Sequence, residues 1–253
     1  MTDLHCHILP GMDDGAKSPA VSLELLHREY KDGVRNIALT SHFNSERTSV
    51  ERFLAKRQSC FAQLTEALEA EGGALNELRF KLGAEVYFSP KLCELDMQKL
   101  CMGDTAYMLI EFPTSHKPHF IRQTLRELQD NGILPILAHV ERYPYVMEDP
   151  QLLYEWVAAG AYAQINAGAL LDAKLRKKLV RLISWGLVHV ISTDTHSPDK
   201  RPPKMAEAVQ ALRRSIGDEE ADTIIANGDA LFCDEELDEI VPHKPQKLLG
   251  MWI

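Results

Sequence analysis

Residues 119–139, HFIRQTLRELQDNGILPILAH, contain a pattern typical of an α/β fold: a helical stretch, a glycine, a short apolar run and a closing histidine. The same order of helix, glycine and apolar run recurs at residues 149–166 and 172–193, with Gly160 and Gly186 at the junctions. Glycine commonly follows the last turn of a helix, because it adopts the left-handed backbone conformation without strain. A short apolar run predicts a buried strand. Each unit is therefore predicted to be a helix followed directly by a strand.

The rest of the chain continues this alternation of helices and strands. Ser18 and Pro19 predict the start of a helix that ends at Gly33. The other elements expected from periodicity are strands at 4–9, 34–40, 78–85 and 107–111, helices at 49–71, near 204–215 and near 219–227, and a short helix opened by Ser89 and Pro90. Roughly seven β-α units with very short connections predict parallel strands joined by right-handed crossovers.

Composition limits the possible functions. The chain has 253 residues, 45% of them hydrophobic, and a net charge of −9. An acidic chain offers no basic face for nucleic acid or for an anionic membrane. Because the first predicted strand begins within a few residues of Met1, we expect no signal peptide, and no apolar run approaches the ~18 residues of a membrane span. The five cysteines contain no C-x-x-C pair, which argues against disulfides and thiolate zinc sites. We expect a cytoplasmic protein.

Imidazole and carboxylate side chains follow the apolar runs at six places. The nine candidate metal ligands are His5, His7, Asp14, His42, Glu85, Glu111, His139, Asp194 and His196. In the H-x-H and D-x-H pairs, strand alternation directs both side chains to one face. Glutamates after apolar runs would be costly to bury without a partner, and a cation would offset that cost. Spacing alone does not decide between Asp13 and Asp14. Nitrogen and oxygen ligands without thiolate suit manganese, iron or zinc.

The positions of these ligands distinguish two α/β folds. An open doubly wound sheet would collect functional groups mainly at its switch point. A closed ring of strands brings all the strand ends to one mouth. We therefore predict a single-domain α/β fold of the TIM-like barrel type, extending over residues 1–253.

Two arginines stand close behind predicted ligands. Arg142 lies three residues after His139, and Arg201 five after His196. A guanidinium can bind two phosphate oxygens at once, so both arginines are predicted to contact a phosphoryl group. Three divalent ions would bring a charge of about +6 against about −4 from the four ligand carboxylates, which would make the mouth attractive to a phosphate dianion.

The motifs LHCHILPGMDDG, TSH, GAE, LIEFP, AHVERY and STDTHS, in this order, resemble those of the polymerase-and-histidinol-phosphatase (PHP) superfamily. They are most similar to its bacterial manganese-dependent protein-tyrosine phosphatases of the capsule and exopolysaccharide type. The resemblance implies a distorted (β/α)7 barrel with three divalent ions, manganese being preferred over iron or zinc. It also implies a phosphotyrosine protein substrate, the tail of a bacterial tyrosine kinase. Phe43 departs from the pattern, since many relatives carry histidine or a basic residue there.

The same resemblance implies how the ligands divide among the ions. His5, His7, Glu85 and Asp194 would surround one ion. Glu85 would bridge to a second, which Glu111 and His139 also bind. The third would be bound by Asp14, His42 and His196. Arg142 and Arg201 would contact the phosphate and are the predicted catalytic residues.

The predicted reaction is hydrolysis of a phosphomonoester by a metal-activated water, without a covalent protein intermediate. No cysteine is followed by five residues and an arginine, which excludes a cysteine-based tyrosine phosphatase. Three alternatives remain open. The first is a small-molecule phosphatase acting on a substrate such as histidinol phosphate. The second is a C–N amidohydrolase, for which a lysine would be expected at the position of Glu111. The third is a non-catalytic protein that binds metal or a phosphopeptide.

Overall fold

The computed structural model describes residues 1–237, 241–248 and 251–252. Within them the strands are β1 Thr2–Cys6, β2 Asn36–Leu39, β3 His42–Phe43, β4 Arg79–Leu82, β5 Glu85–Tyr87, β6 Tyr107–Glu111, β7 Leu134–Leu137, β8 Tyr162–Asn166, β9 Val190–Ser192, β10 Lys247–Leu248 and β11 Met251–Trp252. The helices are α1 Pro19–Lys31, α2 Val50–Glu71, α3 Ile121–Asp130, α4 Pro144–Glu148, α5 Gln151–Val157, α6 Ala173–Ser184, α7 Met205–Ile216 and α8 Asp218–Phe232.

Strands β1 to β9 form a curled parallel sheet. The order β1-β2-β4 makes one part, and β3-β5-β6-β7-β8-β9 the other. β2 runs on into β3 and β4 into β5 after gaps of two residues, so the two parts share the same strand positions. The sheet curls back on itself, because Cys6 forms a parallel bridge with Thr195 and the Asp194 N–H donates to the His5 carbonyl. The predicted α/β architecture of the TIM-like barrel type is confirmed.

Alternate residues of the strands face opposite layers of the core. Along β6, Tyr107 and Leu109 belong to a cluster inside the curled sheet, whereas Met108 and Ile110 pack in the larger cluster under the helices. This alternation is the period of a strand buried on both faces. Glu111 continues the inward series of Tyr107 and Leu109. Its carboxylate is thereby directed toward the mouth of the barrel.

The predicted helix starts are visible as caps. The Ser18 side chain accepts a hydrogen bond from the Val21 N–H, and Pro19 is the first residue of α1. Asp172 caps α6 in the same way by accepting from the Lys174 and Leu175 N–H groups. Such caps satisfy backbone donors that have no partner within the helix.

Several elements differ from the expectation. The short helix expected after Ser89 is replaced by two 3-10 turns, Leu92–Glu94 and Met97–Leu100. The helix expected from residue 149 is present as α5, and the short helix α4, which begins at Pro144, precedes it and was not predicted. α8 continues to Phe232, beyond the expected end.

The end of the chain packs against the barrel. β10 and β11 form an antiparallel pair, the Trp252 indole N–H donates to the Glu148 carbonyl, and Arg181 donates to the Trp252 carbonyl. The sequence left the role of the apolar tail 248–253 open, with simple packing as the expectation. Of that tail, residues 249, 250 and 253 lie outside the described residues. None of the described helices combines the length and the apolar character needed to cross a bilayer.

Candidate metal centre

The structure brings the nine predicted ligands together at the carboxyl ends of the strands. They form overlapping groups in which one ligand atom from each member lies within 4.8 Å of the others. The groups are His7–Asp14–His42–His196, His5–His139–Asp194, His5–His7–Glu85 and His42–Glu85–Glu111. Imidazoles and carboxylates at the bottom are buried, whereas His42 and Asp14 at the top are 40% and 68% exposed.

The deepest group has the dimensions of a metal site. The Nε2 atoms of His5 and His7 lie 3.2 Å apart, and each lies 3.4 Å from Asp194 Oδ1. Glu85 approaches the same two nitrogens at 3.3 and 3.4 Å. In a tetrahedron with bonds of about 2.1 Å the ligand atoms are about 3.4 Å apart. Two imidazole lone pairs facing each other at this distance repel unless a proton or a cation lies between them. The donor set therefore fits a divalent cation.

Glu85 connects this group to the two others. One carboxylate oxygen lies 2.9 Å from His139 Nε2, and the other lies 2.7 Å from His42 Nδ1. Glu111 is 3.6 Å from the same His139 nitrogen. Higher up, Asp14 Oδ1 lies 3.3 Å from His42 Nε2 and 3.5 Å from His196 Nε2. A carboxylate at the junction of several imidazoles can bridge neighbouring cations.

Hydrogen bonds to the other ring nitrogen orient three of the histidines. His5 Nδ1 lies 3.1 Å from Gln164 Oε1, which also accepts from the His139 backbone N–H. His7 Nδ1 donates to Asp13 at 2.8 Å, and His196 Nδ1 donates to the Asp194 carbonyl at 2.9 Å. Each bond uses the Nδ1–H tautomer and leaves Nε2 free to bind a cation.

Three residues that support the ligands were not predicted from the sequence in this role: Gln164, Asn166 and Asp13. Gln164 and Asn166 lie on β8, where the Asn166 amide donates to Asp194 at 2.7 Å and Gln164 donates to Asn166. The signal in the sequence was a glutamine inside a predicted buried strand, because a buried polar group needs a hydrogen-bond partner. Gln164 is fully buried in the structure. Spacing left Asp13 and Asp14 as alternatives. In the structure Asp14 faces the ligand group, whereas Asp13 supports His7 from behind.

The charges of the cluster compensate one another strongly. Burial raises the pKa of Glu85, but the surrounding imidazoles of His5, His139 and His42 outweigh it and hold that pKa well below its usual value. Burial would lower the pKa of His5, whereas Glu85 and Asp194 raise it to about 9. The pKa of His196 falls to about 4 because of burial and the neighbouring His7. The carboxylates that raise the pKa of His5 would equally stabilise a divalent cation among these groups.

Two of the predicted ligands have a left-handed backbone. His139 has φ 33° directly beyond β7, and Asp194 has φ 52° beyond β9. Residues other than glycine are uncommon in this region, and they concentrate at functional sites where the surroundings enforce them. The turn at each strand end directs the side chain back over the mouth.

A buried carboxylate pair ties β1 to the loop that carries Asp194. Asp3 Oδ1 accepts from the backbone N–H groups of His5 and Thr193, at 3.2 and 2.9 Å. The Thr193 hydroxyl contacts both Asp3 and Glu29. Burial raises the pKa of both carboxyl groups. A shared proton between Asp3 and Glu29 is consistent with this arrangement. The network fixes two ligand-bearing segments relative to each other.

The two predicted phosphate-binding arginines stand at the rim. Arg142 Nη1 lies 3.4 Å from Asp194 Oδ2, which the Arg201 guanidinium also contacts, and Arg201 Nη1 lies 3.0 Å from His196 Nε2. Their side chains are 44% and 39% exposed. Both guanidinium groups therefore reach the cluster while remaining accessible from solvent.

A parallel α/β barrel with a histidine–carboxylate cluster at its mouth and arginines above it has the architecture of a barrel metallohydrolase. The family model for capsular polysaccharide synthesis proteins of the CpsB/CapC type matches residues 1–232. The chain belongs to this family.

Relatives with 30% identity or more cover most or all of the chain. It is 33% identical to the tyrosine-protein phosphatase YwqE of Bacillus subtilis over the full length of both chains. It is 30% identical to the putative tyrosine-protein phosphatase CapC of Staphylococcus aureus, over 99% of this chain and 100% of the relative. With the tyrosine-protein phosphatase CpsB of Streptococcus pneumoniae it shares 31% identity, over 87% and 93% of the two chains.

Solved structures support the same relationship. One solved structure comes from work on YwqE of B. subtilis and CpsB of S. pneumoniae, described as unique metal-dependent tyrosine phosphatases. It superposes on this chain with a TM-score of 0.88 at 30% identity, and the alignment covers 98% of this chain and 100% of the other. A phosphotriesterase homology protein from Escherichia coli aligns with a TM-score of 0.57 at 12% identity, over 91% and 98%. The second likeness concerns the fold alone.

Proposed function

We propose that this chain is a metal-dependent protein-tyrosine phosphatase that hydrolyses the phosphomonoester of phosphotyrosine. The observation that carries the proposal is the convergence of nine imidazole and carboxylate side chains on one mouth, with two arginines above them. The named activity of relatives that share 30% identity or more over nearly the whole chain supports the substrate class.

Three divalent ions, manganese preferred, are proposed for the cluster. His5, His7, Glu85 and Asp194 would surround the deepest ion, Glu111 and His139 would join Glu85 at the second, and Asp14, His42 and His196 would bind the third. The spacing of the deepest donors supports the first assignment. His7 also lies within reach of the third group, so its Nε2 can serve at the boundary of both. When bound, such ions lower the pKa of a water molecule and neutralise phosphate charge.

The residues of the chain then have distinct tasks. Arg142 and Arg201 bind phosphoryl oxygens and stabilise the charge that develops on them. A cation on His196 Nε2 would take the place of the hydrogen bond from Arg201, which would leave a guanidinium N–H for the substrate. Gln164 and Asp13 hold His5 and His7 in the tautomer that binds a cation. Because phenolate leaves readily, no general acid is assigned.

The unit that acts is proposed to be the whole chain, 1–253, as a single phosphatase domain in the cytoplasm. Its partner would be a phosphotyrosine protein, such as the tail of a bacterial tyrosine kinase. The family model ends at residue 232, and the contacts of Trp252 with Glu148 and Arg181 support including the end of the chain in the same domain.

The test compares two substrates on metal-stripped protein with each divalent metal restored in turn. We expect phosphate release from a phosphotyrosine peptide with manganese, and a much lower kcat/KM for histidinol phosphate. A preference for histidinol phosphate would identify a small-molecule phosphatase. Metal binding without phosphate release from either substrate would identify a non-catalytic binding protein.

A further inference from the structure

A cavity of about 310 Å³ opens beside the metal cluster. It shares Arg142, Asp194 and Arg201 with the centre, and its other walls include the 3-10 turn Ala167–Leu171, the first turn of α6 and the segment that leads into α7. Its volume reaches the lower end of the range of ligand pockets, and at about 30 Å³ per water it has room for about ten waters. A phosphoryl group over the metals would leave much of this space unfilled.

The lining of the cavity is basic. Lys200 and Lys204 join the two arginines, whereas the carboxyl groups in its wall belong to Glu141 and Asp194. Asp194 already contacts both arginines. Within the described ranges neither lysine forms an ion pair, so both charges are available to a ligand. The chain as a whole carries −9, which makes this a local positive site on an acidic protein.

The wall combines polar and apolar groups, which suits the side chain of a bound peptide better than a free ion. Glu141 is buried, and its Oε1 accepts from the Asn166 backbone N–H, so this carboxyl group is held by the barrel itself. Ala169, Leu175 and Pro202 provide apolar surface between these polar groups. An anion carried on an apolar stem matches this combination.

We propose that this cavity binds a second anionic group of the substrate, carried by a residue close to the phosphotyrosine, so that the enzyme selects acidic peptides. The proposal rests on the proposed phosphatase function and deepens it. The anionic group can be a carboxylate or a second phosphoryl group, because both present negatively charged oxygens to lysine and arginine side chains. The cavity begins at the phosphate-binding arginines, so one peptide can occupy both places at once.

The test measures KM and kcat for three phosphotyrosine peptides of one length on the manganese-loaded full chain. One peptide has neutral neighbours, one has glutamate beside the phosphotyrosine, and one has a second phosphotyrosine. We expect the KM of the glutamate or the doubly phosphorylated peptide to be about fivefold lower than that of the neutral peptide, since each exposed ion pair contributes a factor of roughly two to five. The peptide with the lower KM identifies the source of the anion.

Variants separate the cavity from the rest of the surface. In a Lys200→Gln, Lys204→Gln double variant the KM values of acidic and neutral peptides should become equal. The matched control, Lys31→Gln, changes an exposed lysine in the last turn of α1 and should keep the wild-type preference. Gly168→Leu fills the cavity sterically. A Cβ at Gly168 meets nothing within 4 Å, so this variant should fold and should also lose the preference.

Two results would overturn the proposal while the phosphatase function stands. One is an equal KM for all three peptides on the wild-type chain. The other is an undiminished preference for acidic peptides in the double variant or in Gly168→Leu. Absence of phosphate release from every peptide would overturn the proposed function itself, and the subsite with it.

Discussion

Replacing Asp13 with asparagine should weaken metal binding although Asp13 is not a predicted ligand. The Asp13 carboxylate accepts three N–H groups: His7 Nδ1 at 2.8 Å and the His42 backbone N–H at 3.0 Å on one oxygen, and the Gly15 backbone N–H at 3.0 Å on the other. An amide has one acceptor oxygen, so either orientation places its NH2 against a donor. Asp13→Asn therefore loses the charge and at least one hydrogen bond.

The expected magnitude follows from these contacts. Hydrogen bonds to charged groups contribute about 1.5–3 kcal/mol. Loss of an outer partner of a metal-binding histidine typically costs about 10–100-fold in affinity, which corresponds to about 1.4–2.7 kcal/mol. The two ranges agree. The Asp13 side chain is only 8% exposed, so water cannot easily replace the hydrogen bond that is lost. Competition with a fluorescent chelator at fixed pH should therefore show manganese affinity reduced by one to two orders of magnitude.

The matched control is Asp130→Asn, which changes an exposed aspartate at the end of α3 and should bind manganese like the wild type. Asp14→Ala, which removes a predicted ligand, should also weaken binding. An affinity for Asp13→Asn within about twofold of the wild type would refute the argument that Asp13 orients His7.

Three further changes test other parts of the structure. Burial lowers the pKa of His189 to about 4 from 6.5. As the pH falls from 6.5 to 4 the unfolded chain takes up the proton first, and the wild type should lose up to about 3 kcal/mol relative to His189→Gln. Urea unfolding curves that shift equally for both proteins would contradict this. A Cβ at Gly15 would lie 2.1 Å from the His7 carbonyl, so Gly15→Ala should cost about 1–3 kcal/mol of stability, whereas Gly168→Ala should melt like the wild type. Arg201→Lys loses a two-pronged phosphate contact, and its kcat/KM should fall about 10–100-fold, whereas Arg213→Lys, on the surface of α7, should leave it unchanged.

The sequence predicted the architecture because the signals involved are local. A helix start such as Ser18-Pro19 and an apolar strand such as residues 107–111 depend on neighbours in the chain, and both are present in the structure. The short helix α4 was missed. It has only five residues, too few for the periodicity of apolar residues to reveal it.

The candidate ligands could be predicted because each follows an apolar strand and parallel strands end at one mouth. Their supporting residues could not. Thr193 contacts Glu29 across 164 residues of sequence and Asp3 across 190, and Gln164 contacts His5 across 159. No spacing rule connects such positions, and only the folded chain shows that they touch. Spacing alone could not decide between Asp13 and Asp14 for the same reason, because only the folded turn shows that Asp14 faces the ligand group and that Asp13 supports His7.

The most direct test of the proposed metal centre is an anomalous diffraction map from crystals soaked in manganese, measured at the manganese absorption edge. We expect peaks inside the cluster, the deepest within about 2.0–2.3 Å of His5 Nε2, His7 Nε2 and a carboxylate oxygen of Glu85 or Asp194. A map without peaks between these side chains, from protein that hydrolyses a phosphotyrosine peptide, would contradict it.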